Sequence, residues 1–451
     1  MDLFVCAVRS PFQQISLNDF TTMFLLHNPE LQRAKQNRFV AFQHRCSTGK
    51  LLSRPDTKPP WGPAYMHYYP PMPGVLQSKY EHVEDELNQL RNWNLDKIFL
   101  FVGGDGLSIL RVNHLLNNHP DLYVEQTPII IPVQGESPHG VYHIMHAGWR
   151  LFIKFIRVAS ICLHGGARLD WILDDPPVKA FNSHLFFLWK LVRACSIYVN
   201  LILNTPGAIG LDLFDSFRDS VTRNIDFAWV FHFLYDFGYL VLDFKQSVRS
   251  GESQHLDLLW REFFALGHCS TANKTQYVPM AIMRVWWSRA LNPRVAALYH
   301  SIRSIPMSAG EGCMVGWDYP CEALNLHLTL DVQHATLPAI EKSIQRYPFI
   351  SHSHSQLHHA FMGHRAEHAR HLKDMEADVQ ILVQWLIDGV GGDWRTATAP
   401  RTVSALGISA RGAPPWDEMH TTMTRAGNDS VPAFVARHVR NLTSGFYVFG
   451  R

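Results

Sequence analysis

Apolar residues recur at intervals of three and four through the middle of the chain, which is the spacing typical of helices that bury one face. This pattern predicts a helical block between about 176 and 304, with no strand inside it. Five helices are predicted there, at 186–203, 225–248, 255–266, 277–290 and 295–304.

Two continuous apolar runs, at 98–102 and 128–133, precede this block. Continuous runs are typical of strands that are buried on both faces of a parallel or mixed sheet. Pro138 suits the first turn of a helix that extends to about 159. We therefore predict two strand–turn–helix passages, with Asp105 and Glu136 near the carboxyl ends of the two strands.

The composition is that of a globular protein. Hydrophobic residues make up 47% of the chain and charged residues 18%, which excludes a mainly disordered protein. The formal net charge is only +2, so a basic surface for nucleic acid must be local. The candidates for phosphate contact lie in or beside aromatic helical segments that are also typical of a core: Lys245, Arg249, Lys274, Arg284 and Arg289.

The seven cysteines are scattered and form no CxxC pair. This argues against a disulfide scaffold or a zinc ribbon and favours a reducing, intracellular compartment. Two apolar stretches, 184–203 and 225–244, have the length of membrane spans but carry charges near their centres. Such charges are costly in a bilayer, so we predict buried core helices and no membrane partner.

Asp105 and Glu136 form the first candidate site. Open α/β folds place ligand-binding groups at the carboxyl ends of buried strands. Two acids at one edge repel each other unless a cation lies between them, and Mg²⁺ or Mn²⁺ suits oxygen ligands. The structural alternatives are that Asp105 caps a glycine turn and that Glu136 offsets a helix dipole.

Three histidines follow Glu136. His139, His143 and His146 are spaced by four and three, which places them on one face of the predicted helix. We expect them to position water or phosphate beside the acids. Zinc ligation is an alternative, although the HExxH pattern is absent, and a polar stripe without a site role is another. Arg150, further along, is a candidate phosphate contact.

Glu322 is the third acid, on a helix predicted from about 318 to 330. Asp318 suits the N-cap of this helix, and Asn325 shares a face with Glu322 and supports it. The predicted order is two acids on strands, a long helical block and a third acid on a helix. An RNase H-like nuclease or transposase core has this layout, and its three acids hold two metal ions. The alternative is that Glu322 only offsets the helix dipole.

The predicted fold class is therefore α/β, with an RNase H-like core split by a large helical insertion. Six parts are predicted: a proline-rich N-terminal arm (1–75), the first half of the core (76–165), the insertion (166–312), the return of the core (313–350), a His-rich helix (351–388) and a mostly disordered tail (389–451).

The order of these motifs resembles a domain family of unknown function that occurs in transposon-associated proteins of fungi, algae and animals. The resemblance covers about 95–335 and also includes the segments 236–245 and 273–277. Family members often have Gly-Asp-Gln-Leu-Thr where this chain has Gly-Asp-Gly-Leu-Ser at 104–108, and an Asp-Phe-His-like element where 136–139 stands.

From this layout we expect a transposase-derived protein that cleaves phosphodiester bonds of nucleic acid or transfers strands. Asp105, Glu136 and Glu322 would hold the Mg²⁺ or Mn²⁺ that this reaction needs. DNA is then the expected partner, and the nucleus is a candidate compartment. One alternative is a catalytically inactive helical scaffold that binds DNA or protein. Another is a nucleotide-dependent kinase, because 102–106 resembles the GGDG motif of NAD and diacylglycerol kinases, although Leu107 replaces their threonine.

Overall fold

Helices make up most of the structure. A computed structural model of the chain describes residues 17–25, 27–48, 101–104, 129–132, 140–164, 181–203, 210–269, 277–291, 293–306, 314–316 and 364–390, with single positions between 338 and 346 and between 421 and 433. The first four helices are α1 (Leu17–Thr22), α2 (Pro29–Thr48), α3 (Gly140–Leu151) and α4 (Ile153–His164). The others are α5 (Phe181–Leu203), α6 (Leu211–Val221), α7 (Ile225–His232), a π-helical segment (Phe233–Gly238), α8 (Tyr239–Ser250), α9 (Ser253–Cys269), α10 (Tyr277–Ala290), α11 (Pro293–Ile302) and α12 (His364–Val390).

The described strands form two short ladders. Strands β1 (Phe101–Gly104) and β2 (Ile129–Pro132) pair in parallel, and β3 (Ser304–Pro306) and β4 (Met314–Gly316) pair antiparallel. The prediction of an RNase H-like α/β core is wrong, because the described residues are mostly helical and contain no larger sheet. The two apolar runs do lie in β1 and β2, but a pair of four-residue strands offers no surface on which this many helices could be layered.

The predicted helical block is confirmed, since α5, α7–α8, α9, α10 and α11 coincide with its five helices. The segment from α7 through the π-helical turn to α8 is a single continuous helix. Gly251 ends it in the left-handed conformation, with φ at 70°, and the Glu252 N–H donates back to the Ser247 carbonyl at 2.9 Å. At this left-handed glycine the helix ends, and the chain turns and enters α9.

Helix α2 lies in the region that was predicted to be a proline-rich arm. It begins with the side chain of Asn28 accepting a hydrogen bond from the Leu31 N–H at 3.1 Å, while Pro29 and Glu30 suit the first turn. Its inner face is buried, and Phe39 contacts the rings of Phe214, Phe231, Tyr235 and Tyr239. The N-terminal region therefore contributes to the central core.

The core is rich in aromatic rings where α3 crosses the π-helical segment. Phe152 of the α3–α4 junction stacks on Phe237 with their ring centroids 5.8 Å apart. The Phe237 ring lies so close to the α3 backbone that a Cβ added to Gly148 would lie 2.0 Å from Phe237 Cδ2. Gly148 thus permits this crossing.

Helix α12 coincides with the predicted His-rich helix and packs on α5 and α4. Val379, Leu382 and Leu386 are fully buried, and Asp378 forms an ion pair with Lys190 of α5. The second half of α12 is therefore part of the core.

Two helical stretches in the described residues are long and apolar enough to cross a membrane by length and composition, His184–Leu203 and Ile225–Ser250. Of their apolar windows, 56% and 83% are buried inside the fold. Core helices pass the same test, so the absence of a membrane partner stays a prediction.

Candidate functional site: a polar cleft between α2, α9 and α11

Most residues of the predicted metal site lie outside the described residues. These are Asp105, Glu136, His139, Asp318, Glu322 and Asn325, together with the predicted phosphate contact Lys274. His143 and His146 lie on α3, where His146 is buried, and Arg150 of the same helix is exposed. Within the described residues, no group of three or more His, Cys, Asp or Glu side chains is arranged to hold a metal ion.

The other predicted phosphate contacts lie in different environments. Arg284 is fully buried, with its guanidinium 4.0 Å from the centroid of the Trp260 ring. Its assignment as a phosphate contact is therefore corrected, because a buried guanidinium that packs on an indole is part of the core. Lys245 is half-buried, and burial and the neighbouring Arg249 lower its pKa, whereas Arg249 and Arg289 are exposed.

A cleft of about 1080 Å³, lined by apolar side chains together with charged ones, lies between α2 on one side and α9, α10 and α11 on the other. Pockets of roughly this volume, with a few convergent polar groups, are typical of ligand sites. The charged and titratable residues that line it are Glu30, Arg38, Arg45, Asp243, Glu252, His255, Asp257, Arg261, Arg289 and His300. The sequence analysis named only Arg289 among them.

Buried ion pairs hold the walls of the cleft together. Arg38 of α2 forms a bidentate pair with Glu262 of α9, with one of its nitrogen–oxygen distances at 2.6 Å. Burial by itself would lower the pKa of Arg38, but the Glu262 carboxylate outweighs it and the pKa is raised. The Arg38 guanidinium therefore stays charged, and the pair fixes α2 against α9.

The rim between α1 and α9 is fixed by a second network. Arg261 donates to Glu30 at 2.7 Å, to Asn28 at 3.1 Å and to the Met23 carbonyl at 2.9 Å. Arg289, which is half-exposed, lies 3.5 Å from the same Glu30 carboxylate. Burial would raise the pKa of Glu30, but the two arginines lower it.

Two histidines of the cleft lie beside buried aspartates. His255 Nε2 is 2.8 Å from an oxygen of Asp243, whose side chain is fully buried. His300 Nδ1 is 2.9 Å from the hydroxyl of Ser253, and its Nε2 is 3.9 Å from Asp257. Imidazoles oriented by carboxylates can take and return protons near neutral pH, so this cleft has groups suited to acid–base chemistry.

Two of the buried acids near the cleft, Asp243 and Glu262, can be recognised in the sequence. Asp243 and Glu262 interrupt apolar helical faces, and such interruptions are typical of buried charges that need a partner. Their partners lie on distant segments; Arg38 is 224 positions from Glu262. A single sequence does not show which distant residues pair with each other, so the cleft could not be predicted from it.

No protein-family model, curated protein or solved structure matches this chain. The resemblance to a transposon-associated family therefore stays a prediction. The same holds for DNA as a partner, for Mg²⁺ or Mn²⁺ as a cofactor and for an intracellular or nuclear location.

Proposed function

We propose that this chain is a helical binding protein whose cleft between α2, α9 and α11 takes a small polar molecule. The observation that carries the proposal is the cleft itself, a space of about 1080 Å³ into which five helices bring charged and hydrogen-bonding side chains. The proposal keeps the helical scaffold that the sequence suggested, with a small molecule in place of DNA or another protein.

The charges on the lining suggest the chemistry of the ligand. The lining contains the four arginines Arg38, Arg45, Arg261 and Arg289 and the four carboxylates of Glu30, Asp243, Glu252 and Asp257. Because these charges balance, a bare polyanion has little to gain there. A molecule with one carboxylate or phosphate for an arginine and hydroxyl or amine groups for the carboxylates suits the lining best.

A thermal-shift series with phosphoserine, glycerol 3-phosphate and 5′-AMP tests the proposal. A ligand that binds only the folded state stabilises it by about 2.7 kcal/mol at a concentration of 100 Kd. We expect at least one probe to give a saturable rise in the Tm of the wild-type protein.

The matched variants are Ala297→Trp and Leu213→Trp. Ala297 lines the cleft, so an indole there narrows the space left for a ligand, whereas Leu213 is exposed on α6. We expect the rise in Tm to be lost in Ala297→Trp and kept in Leu213→Trp. No rise with any probe in the wild type, or an equal rise in both variants, would contradict the proposal.

Metal-dependent phosphodiester chemistry is a second proposal, and the register of β1 and β2 favours it. The strands are parallel, and Gly104 pairs with Pro132, so the chain leaves both strands at the same edge. Asp105 follows Gly104 directly, and Glu136 follows Pro132 by four positions in the sequence. In this proposal the two carboxylates hold Mg²⁺ or Mn²⁺, which prefers oxygen ligands and would activate water for attack on phosphorus.

A nuclease assay with Mn²⁺ tests this second proposal. We expect the wild-type protein to cut DNA, Asp105→Ala to lose the activity and Asp212→Ala, an exposed change on α6, to keep it. Equal activity in the three proteins, or none in the wild type, would count against Asp105 as a metal ligand.

A further inference from the structure

Ser253, His300 and Asp257 lie together on the wall of the cleft. Ser253 is the first residue of α9, Asp257 follows one turn later, and His300 is in the last turn of α11. The Ser253 hydroxyl is 2.9 Å from His300 Nδ1, and an Asp257 oxygen is 3.9 Å from His300 Nε2. A hydroxyl on one ring nitrogen and a carboxylate near the other is the arrangement that activates a serine in acyl-transfer enzymes.

The surroundings hold this arrangement in place. Arg303 is fully buried and donates to the other oxygen of Asp257 and, at 3.3 Å, to the Ser253 carbonyl. The remaining Asp257 oxygen is buried and has no hydrogen-bond partner among the residues that the structure describes. At 3.9 Å from Nε2 it interacts with the ring through its charge and not through a hydrogen bond. We assign the ring proton to Nε2, which leaves Nδ1 to accept the hydroxyl proton of Ser253.

We propose that Ser253 is a nucleophile for acyl transfer, with His300 as its general base and Asp257 as a positioning residue. The substrate class is an ester of a polar molecule that fits the cleft, and in this respect the inference rests on the proposed binding function. Ser253 also lies at the amino end of the 17-residue helix α9, where the helix dipole stabilises negative charge that develops on the substrate oxygen.

The reaction proceeds in two balanced halves. Ser253 Oγ forms a bond to the ester carbonyl carbon, and its proton moves to His300 Nδ1. The bond from that carbon to the alkoxy oxygen then breaks, and His300 returns the proton to the departing alcohol. Water repeats the sequence on the acyl-serine: its proton passes through Nδ1 to Ser253 Oγ, and the acid is released.

A fluorophosphonate probe tests the nucleophile directly. Such a probe forms a bond between phosphorus and the serine oxygen, with loss of fluoride and of the hydroxyl proton. We expect the folded wild-type chain to gain one adduct by intact mass and peptide mapping to place it on Ser253. An adduct on another residue, or no adduct, would overturn the proposal, and the mapping needs no variant to fold.

Ser216 provides a matched control, because it is exposed on α6 and is not part of the cleft lining. We expect Ser253→Ala to lose the adduct and Ser216→Ala to keep it. His300→Gln should slow labelling at least about 100-fold. Asp257→Asn should also slow it, and Asp257→Glu should restore part of the rate, which a purely structural role for this carboxylate would not produce. Equal labelling rates in all variants would exclude the triad.

The same proteins separate this proposal from the binding proposal. Removing the Ser253 hydroxyl leaves the cleft open, so Ser253→Ala should keep the rise in Tm with the phosphoserine, glycerol 3-phosphate or 5′-AMP probe. A rise in Tm without labelling would overturn only the nucleophile. Labelling of Ser253 without a rise in Tm would overturn only the polar ligand class.

Discussion

Lys35 and Asp236 show how single charges are accommodated inside this protein. Lys35 Nζ lies 2.6 Å from one Asp236 oxygen, and His232 Nδ1 lies 2.6 Å from the other. Lys35 also lies 4.5 Å from the centroid of the Tyr235 ring. Burial would raise the pKa of Asp236, but Lys35 and His232 outweigh it and hold that pKa well below the ordinary carboxyl range.

Removal of the Lys35 charge should leave Asp236 buried beside one partner instead of two. We expect Lys35→Met to destabilise the fold by about 3–5 kcal/mol in urea unfolding, the range for a broken buried pair. Arg218→Met is the control, because Arg218 pairs with Asp215 at the surface and an exposed pair contributes at most about 1 kcal/mol. Similar costs for the two changes would mean that Lys35 is not buried against Asp236.

The lowered pKa of Asp236 also predicts how stability depends on acid. A carboxyl group whose folded pKa lies below its unfolded value stabilises the fold above that unfolded value of about 4 and loses this contribution as the pH falls toward the folded pKa. We expect Asp236→Asn to show a shallower fall in its urea midpoint than the wild type between pH 4 and pH 2.5. Asp219→Asn, at an exposed position, should follow the wild type.

Helix α2 shows why part of the fold could not be predicted from the sequence. Several of its buried positions hold Lys35, Arg38 and Gln43 instead of apolar residues, so its hydrophobic pattern is weak. Each of these side chains has a hydrogen-bond partner on a distant helix; Gln43 donates to the Ser196 carbonyl at 2.6 Å. A helix that buries polar groups through long-range partners does not reveal its inner face in its own sequence.

Helix packing at Gly148 gives a prediction at the same scale. In Gly148→Ala the new Cβ would lie 2.0 Å from a fully buried Phe237 ring, so the ring or the helix must move. We expect a net loss of about 1–3 kcal/mol in urea unfolding even though alanine favours helices. The control is Gly210→Ala at the N-cap of α6, where no atom lies within 4 Å of the added Cβ. Because glycine is preferred to alanine at an N-cap, this change should cost about 0.5–1 kcal/mol, less than Gly148→Ala.

For the whole molecule, periodicity predicted the helical block but not the architecture. Five helical stretches between 181 and 302 followed from the spacing of apolar residues, whereas α6 was not predicted. The strands β1 and β2 followed from the continuity of their apolar runs. The prediction of an RNase H-like core was wrong, because it was based on the order of three acids along the chain. That order says nothing about how many strands share a sheet, which depends on pairing between distant segments.

The cleft depends on the same kind of long-range contact. Its walls come from α2 near the N-terminus and from α9 and α11 more than 200 positions later, and they meet through Arg38 and Glu262. If α2 does not lie against α9, there is no cleft and neither the polar ligand nor the Ser253 chemistry has a site.

A double-mutant cycle on Arg38 and Glu262 tests that contact most directly. The free energies of unfolding of the wild type, Arg38→Met, Glu262→Leu and the double variant are measured in urea. We predict that the two changes are not additive and that the double variant is more stable than their sum implies, with a coupling of about 1–3 kcal/mol. Additivity within about 0.5 kcal/mol would show that α2 does not pair with α9 and would contradict the account.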